Sequence, residues 1–245
     1  MPSRNDAKRS YDMGFISDLF IKKRKYDHIV SLGNNCEFSF QFFTNYGFVD
    51  ANMFSWVYVG DWEKMREAVA DVDGIFSEGI SGPDWMYICN KYDIKFHGRA
   101  SNRELFDENG KPVEAVVESD KAELRERVEH LKEKFKKVLN TDESKLYVLK
   151  DPKDTDFVLR MKATLDKVVR NGYDFLVVVT RDELQRYEGL VNEHIFVRAV
   201  EKFSPVAHVT SKKKADMRGW KKILREFGPS KIEKAKSKKF KFEEV

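Results

Sequence analysis

The sequence predicts an α/β fold, a three-layer sandwich built on a mostly parallel sheet with a β-hairpin insertion, and three observations carry that prediction. The run FLVVV at Phe175–Val179 is apolar without alternation, as in a strand covered by helices on both faces. From Lys145 onward, short β-prone runs alternate with amphipathic helical segments, the pattern of successive parallel βα units. Near the start, Tyr26–Phe48 reads as a buried strand, a tight polar turn and a helix. One domain spans residues 1–228, with a hairpin-bearing insertion at about 85–118 and a basic tail at 229–245.

A chain of 245 residues can bury one large core, and 19 phenylalanines supply it although charged residues make up 35% of the sequence. That charge describes a strongly solvated surface. The net charge is +4, and its excess gathers in the lysine runs of Ser211–Val245. Two cysteines far apart make no disulfide framework. No apolar run reaches the ~20 residues of a membrane helix, and MPSRNDAKRSYD lacks the apolar stretch of a secretory signal. A reducing cytoplasm is the expected compartment. No internal repeat is visible.

Taken in order, MGFISDLFI is expected as a short edge helix, and Lys22-Lys23-Arg24-Lys25 as a solvated entry loop to the first strand. The strand His28–Leu32 precedes the turn Gly33, Asn34, Asn35, and a helix opens at or just after Cys36 with Phe38, Phe42, Phe43 and Tyr46 on one side. Val49–Val59 is β-prone. Asp61–Val72 is an amphipathic helix that buries Trp62, Met65, Ala68 and Val69. After a glycine-rich loop at Ile75–Pro83 come two short strands, Trp85–Cys89 and Asp93–Phe96. Glu104–Phe106 and Val113–Val117 flank an Asn109-Gly110 turn and read as a hairpin, since Asn-Gly supplies the positive φ angles of a tight reversal. Ser119–Asn140 is a helix with the stripe Leu124, Val128, Leu131, Phe135, Val138 and Leu139. Strand Leu146–Leu149, helix Thr155–Arg170, strand Phe175–Val179, a short helix Glu183–Glu188 and strands Ile195–Val200 and Ala207–Val209 follow. Helix Met217–Phe227 closes the body with Trp220, Ile223, Leu224 and Phe227 inward.

Cys36 is the nucleophile candidate. A thiol at a helix N-terminus lies in the positive end of the helix dipole, a field that lowers its pKa and favours thiolate. The bland reading stands beside it, because a buried free cysteine is a common small hydrophobe. Cys–His catalysis needs a base close in space. Of the five histidines, His28 lies in a strand and His130 on a solvated helix face, while His194 and His208 flank strand ends. His97 ends a strand and precedes Gly98 and is a candidate base, while His194 and His208 could also reach the edge of a site. Asp182 follows the strand ending at Thr180, where sites of open α/β sheets gather, and is the candidate third group, with Asp93 and Asp216 as the other carboxylates weighed for it. Gly33, Asn34 and Asn35 are candidate oxyanion donors through backbone or side-chain N–H. Trp56 is a candidate pocket wall, and Arg99 and Arg103 candidate binders of a carboxylate or phosphate. No CxxC, HExxH, Walker loop or GxGxxG is present, so neither a metal nor a cofactor is expected.

The run SLGNNCEFSFQF, with MFSW at Met53–Trp56, resembles the family of papain-like cysteine peptidases of otherwise unknown function. Its Ser-Leu-Gly-x-x-Cys turn is matched at Ser31, Leu32, Gly33 and Cys36. Its Pro-Phe-Asp-Trp motif is matched at Phe54 and Trp56, with Met53 and Ser55 in the other two places. Its His-Asp-Phe element has a counterpart in the histidine of Lys95-Phe96-His97-Gly98-Arg99, and its arginine-rich helix in Leu124–Phe135. The resemblance covers about the first 135 residues and implies a thiol-dependent enzyme.

The leading expectation is therefore an acyl-transfer enzyme, hydrolase or acyltransferase, acting on a small-molecule, peptide or glycan-linked acyl substrate through Cys36 and His97. The alternatives are a non-catalytic binding protein associated with surface-glycan biosynthesis, in which Cys36 is merely buried, and a basic nucleic-acid-associated protein. In the last of these the lysine tail contacts a polyanion, but the tail carries no aromatic platform of its own.

Overall fold

The computed structural model describes residues 23–47, 51–204 and 215–231. The expected N-terminal helix, the strand at 207–209 with His208, and the tail from residue 232 lie outside the described residues.

The organising sheet has four parallel strands in the order β2 (His28–Ser31), β7 (Lys145–Lys150), β8 (Asp174–Thr180) and β9 (Ile195–Val200). All six residues of β7 are buried, as an unalternating strand covered on both faces requires. Its side chains divide by parity. Leu146 and Val148 join Phe38, Phe42 and Trp220 on one face, whereas Tyr147 and Leu149 join Phe135, Phe157 and Val128 on the other. The first layer is made by α1 (Glu37–Tyr46) and α7 (Met217–Glu226), which meet where Phe38 and Trp220 stack edge-on at 6.0 Å. The third is made by α4 (Glu114–Asn140) and α5 (Thr155–Val168), with α2 (Trp62–Ala70) laid on α5 through the Trp62–Phe157 contact at 5.2 Å. The fold is thus α/β with three layers.

Between α1 and β7 the chain builds a second, antiparallel sheet, ordered β3 (Val57–Val59), β6 (Ile94–Phe96), β5 (Tyr87–Cys89) and β4 (Ile80–Ser81). The true hairpin is β5–β6, turned by Asp93 at φ +51°. The hairpin expected from Glu104–Phe106 and Val113–Val117 is corrected. The turn at residues 107–111 forms, with Gly110 at φ +74°, but only one bridge, Phe106 to Pro112, spans it. Asn102–Leu105 is a helical turn (α3), and the chain is helical again from Glu114. The reason is tertiary. Val117 lies seven residues before Leu124 and extends its buried stripe by two turns, which outweighs the β-preference of the Val113–Val117 run.

Of the expected Val49–Val59 run, the described residues 51–59 form strand at Val57–Val59, and polar side chains at 52–55 capture the backbone before it. Asn52 N–H donates to Ser55 Oγ, and Phe54 N–H to Asn52 Oδ1. A two-stranded parallel ribbon pairs β1 (Arg24–Tyr26) with β10 (Phe227–Pro229), so the charged entry loop is partly strand and the body continues past residue 228. Among the described residues no helix is long and apolar enough to cross a membrane.

Candidate functional site

The first turn forms as its residue types dictate. Leu32 N–H still donates to Val148 O, after which Ser31 Oγ accepts from Gly33 N–H at 3.4 Å. A Cβ at Gly33 would meet Asn35 O at 3.4 Å and the Lys150 Cβ at 3.8 Å, ordinary contacts that leave room for a small side chain. Asn35 Oδ1 accepts the Glu37 N–H at 3.0 Å, closing the first turn of α1 from the residue before its N-cap. Asn34 donates from Nδ2 to Asp151 at 3.3 Å, joining the carboxyl ends of β2 and β7. Its Oδ1 is buried with no protein partner, and its backbone carbonyl accepts from Val59 N–H.

Cys36 follows, at φ −75° and ψ 0°. Its side chain does not open to solvent: the residue is 5% exposed, and Sγ donates to the Val57 carbonyl at 3.8 Å. Burial pushes the thiol up to about 12, opposed only in part by its own backbone N–H and the Lys150 cation. The expected lowering of the pKa is therefore corrected in sign, because loss of hydration outweighs the helix-end field. Cys89 is also buried, its sulfur accepting from Phe76 N–H at 3.4 Å.

The anion at this helix end is Glu37, one residue on. Its carboxylate is fully buried and receives Lys150 Nζ at 3.1 Å on one oxygen. The other oxygen receives Ser204 N–H at 3.0 Å and Trp220 Nε1–H at 3.1 Å. Lys150, 1% exposed, sits 4.4 Å from the Phe203 ring. This paired, hydrogen-bonded carboxylate uses the positive end of α1 and fastens α1 to β7, α7 and the segment after β9.

The remaining predicted residues disperse over the molecule. The β3–β6 register pairs Val57 with Phe96, which places His97 across from Trp56, one step from the carbonyl that holds Cys36. The His97 side chain is exposed and its ring meets Trp85 at 6.2 Å, while its carbonyl accepts from Arg127. Trp56 is half-buried and packs edge-on against Phe40 at 5.0 Å. Arg99 is paired with Glu123, and Arg103 is exposed on α3. Asp182 is exposed after β8, its carboxyl held below the usual range by the Thr180 hydroxyl and nearby backbone N–H groups. Its strand lies two places from β2, roughly 10 Å across the sheet. His28 and His194 pair with Glu143 and Asp174 at the amino ends of the parallel strands, the opposite end from Cys36. A cleft of about 220 Å³ at that same amino end includes Lys162, Asp166, Tyr173 and His194, and so contains none of the predicted site residues.

Sequence reasoning missed the outer face of the antiparallel sheet. Tyr58 and Lys95 are cross-strand neighbours there. Tyr58 is 42% exposed and Trp85 49%, and their rings meet at 6.3 Å. The signal was the alternation buried–exposed–buried through Val57, Tyr58 and Val59, which leaves an aromatic ring facing water.

Gly98 holds the end of this face. Asp120, 5% exposed, accepts Arg99 N–H at 2.7 Å and Ala100 N–H at 3.2 Å. A Cβ on Gly98 would lie 1.9 Å from the same carboxylate, so only glycine lets the loop after β6 come this close. Among the described residues no three His, Cys, Asp or Glu side chains gather as a metal site. Comparison of the chain with family models, curated proteins and solved structures returns no match.

Proposed function

We propose that this chain is a non-catalytic binding protein in which Cys36 is a structural thiol, packed between the first turn of the parallel sheet and the start of β3. The observation that carries the reading is the environment of that thiol: 5% exposure, a Val57 carbonyl as its partner, and a pKa pushed up to about 12. At neutral pH a thiol at 12 is ionised to about 10⁻⁵, and acyl transfer proceeds through the thiolate. The neighbouring groups also serve structure. Asn35 occupies the first helical N–H, and Lys150 is engaged by Glu37.

The thiol-enzyme reading keeps one supporting observation, the β3–β6 register that brings His97 to the strand end beside Val57. Alkylation by iodoacetamide decides between the two. In the native protein at pH 7, Cys36 should label slowly, at the rate of global or local opening, and rapidly once unfolded. Fast native labelling that slows in His97→Asn would sink the binding-protein reading and restore the Cys–His pair.

A further inference from the structure

We propose that the outer face of the antiparallel sheet, presenting Tyr58, Trp85, His97 and Lys95, binds single-stranded nucleic acid by stacking bases on its rings. The inference rests on the binding-protein reading and names the partner.

Among the described residues, four large apolar side chains are prominently exposed, and two of them, Tyr58 and Trp85, touch each other. Single exposed apolar residues are ordinary, whereas adjoining aromatic rings on one sheet face form a recognition surface. The chain builds this cluster from three places. Tyr58 points outward from β3, Lys95 stands opposite it on β6, and Trp85 comes from the loop before β5, where Gly82 at φ +98° turns the chain. His97, two residues after Lys95 and so on the same face, meets the Trp85 ring at 6.2 Å. Lys95 Nζ lies 5.9 Å from the Tyr58 ring centre and 6.0 Å from that of Trp85, a cation set between two π-faces.

That combination selects the occupant. Bases stack on aromatic rings whatever their sequence, and the phosphates between them need a cation within reach of those rings. A neutral sugar would ask instead for fixed carboxylate and amide groups to pair with its hydroxyls, whereas the polar side chains set against these rings include the Lys95 ammonium and the His97 imidazole. Asp84 is the acidic neighbour on the Trp85 loop. The excess positive charge of the chain lies in Ser211–Val245, so the cation offered to a phosphate at this face is Lys95 itself. An open four-stranded antiparallel sheet with outward rings is also a surface that single strands can lie across.

The test is fluorescence anisotropy of a labelled oligo(dT) strand of about 16 nucleotides, titrated with the full chain. An abasic strand of equal length and an acidic polysaccharide serve as competitors. The expected result is binding that the abasic strand competes for poorly. Trp85→Ala should weaken it by about 5–150-fold, and Tyr58→Ala likewise. Lys95→Gln should flatten the plot of log affinity against log salt by about 0.7. Both rings are exposed, and unchanged far-UV circular dichroism would show that the variants fold.

Three results would overturn the proposal. The first is no binding at about 100 µM protein, the weak end of non-specific affinity. The second is equal affinity for the abasic strand with no response to Trp85→Ala, which assigns any binding to lysines alone. The third is an acidic polysaccharide that binds in preference and responds to Trp85→Ala, which makes the platform a glycan site. Each leaves Cys36 labelling untouched, so failure here is distinct from failure of the binding-protein reading.

Discussion

Replacing Lys150 with methionine tests whether the Glu37–Lys150 pair is the fastener of the carboxyl end of the sheet. Both side chains are out of water, at 1% and 0% exposure, and their charged atoms lie 3.1 Å apart. Lys150→Met keeps much of the volume and the contact with Phe203 but strands the Glu37 carboxylate. That carboxylate retains Ser204 N–H and Trp220 Nε1–H on one oxygen and nothing charged on the other. Removing one partner of a buried pair costs about 3–5 kcal/mol, chiefly because the remaining charge cannot be hydrated. For a chain of this size that corresponds to a fall in Tm of roughly 6–20 °C. The double variant Lys150→Met/Glu37→Gln carries no stranded charge, and the glutamine oxygen can still accept from Ser204 and Trp220. Its loss should be about 1–3 kcal/mol, the penalty of one unmatched amide N–H. Urea melts followed by circular dichroism, with m-values checked for equality, measure both. A Lys150→Met variant within about 1 kcal/mol of wild type, or a double variant no better than that single one, would refute the argument that the cost is electrostatic.

Two further substitutions probe other parts of the same reasoning. Gly98→Ala should cost about 2–3 kcal/mol, because its Cβ would displace the Asp120 carboxylate from two backbone N–H groups; a urea midpoint equal to wild type would show that Asp120 has another place to go. Asp71 is held below the usual carboxylate range by the Tyr92 hydroxyl and the Lys91 ammonium. A depressed folded pKa contributes stability above the unfolded value of about 3.9 and loses it as pH falls through the folded one. The deficit of Asp71→Asn, measured in urea, should therefore be present at neutral pH and fade below about pH 4; a deficit that grows on acidification contradicts this sign.

Much of the parallel sheet was legible because its signals are local. Ile195–Val200 has the bounds read from the sequence, and β8 adds one residue at each end of the expected Phe175–Val179. Continuous apolar runs of this kind have few alternatives in an α/β chain. The ribbon of Arg24–Tyr26 with Phe227–Pro229 was not legible, since each strand is three residues long, carries lysine, arginine, glycine or proline, and finds its partner some two hundred positions away. The false hairpin failed for a related reason. Asn109-Gly110 does reverse the chain, but whether Val113–Val117 continues as strand or helix depended on whether a long helix could bury Val117 beside Leu124.

The site shows the same division more sharply. Strand, polar turn and helix at Ser31–Glu37 were readable from residue types, and with them the position of Cys36 at a helix N-terminus. The sign of its pKa shift was not. A helix end lowers a thiol only while water or a counter-charge can also reach it. Whether Cys36 faces water was decided by Val57, twenty-one positions on, closing over it. The field itself is taken up one residue later, where Glu37 meets a lysine contributed by β7 from 113 positions away. Local chemistry therefore located the anion-favouring end of α1 correctly and assigned its charge to the wrong side chain. The aromatic face follows the same logic. Tyr58 and Lys95 are unremarkable in the chain and become neighbours only through the β3–β6 register. The groups open for recognition lie on a sheet whose pairing had to be seen, while the residue that looked reactive is the one the fold encloses.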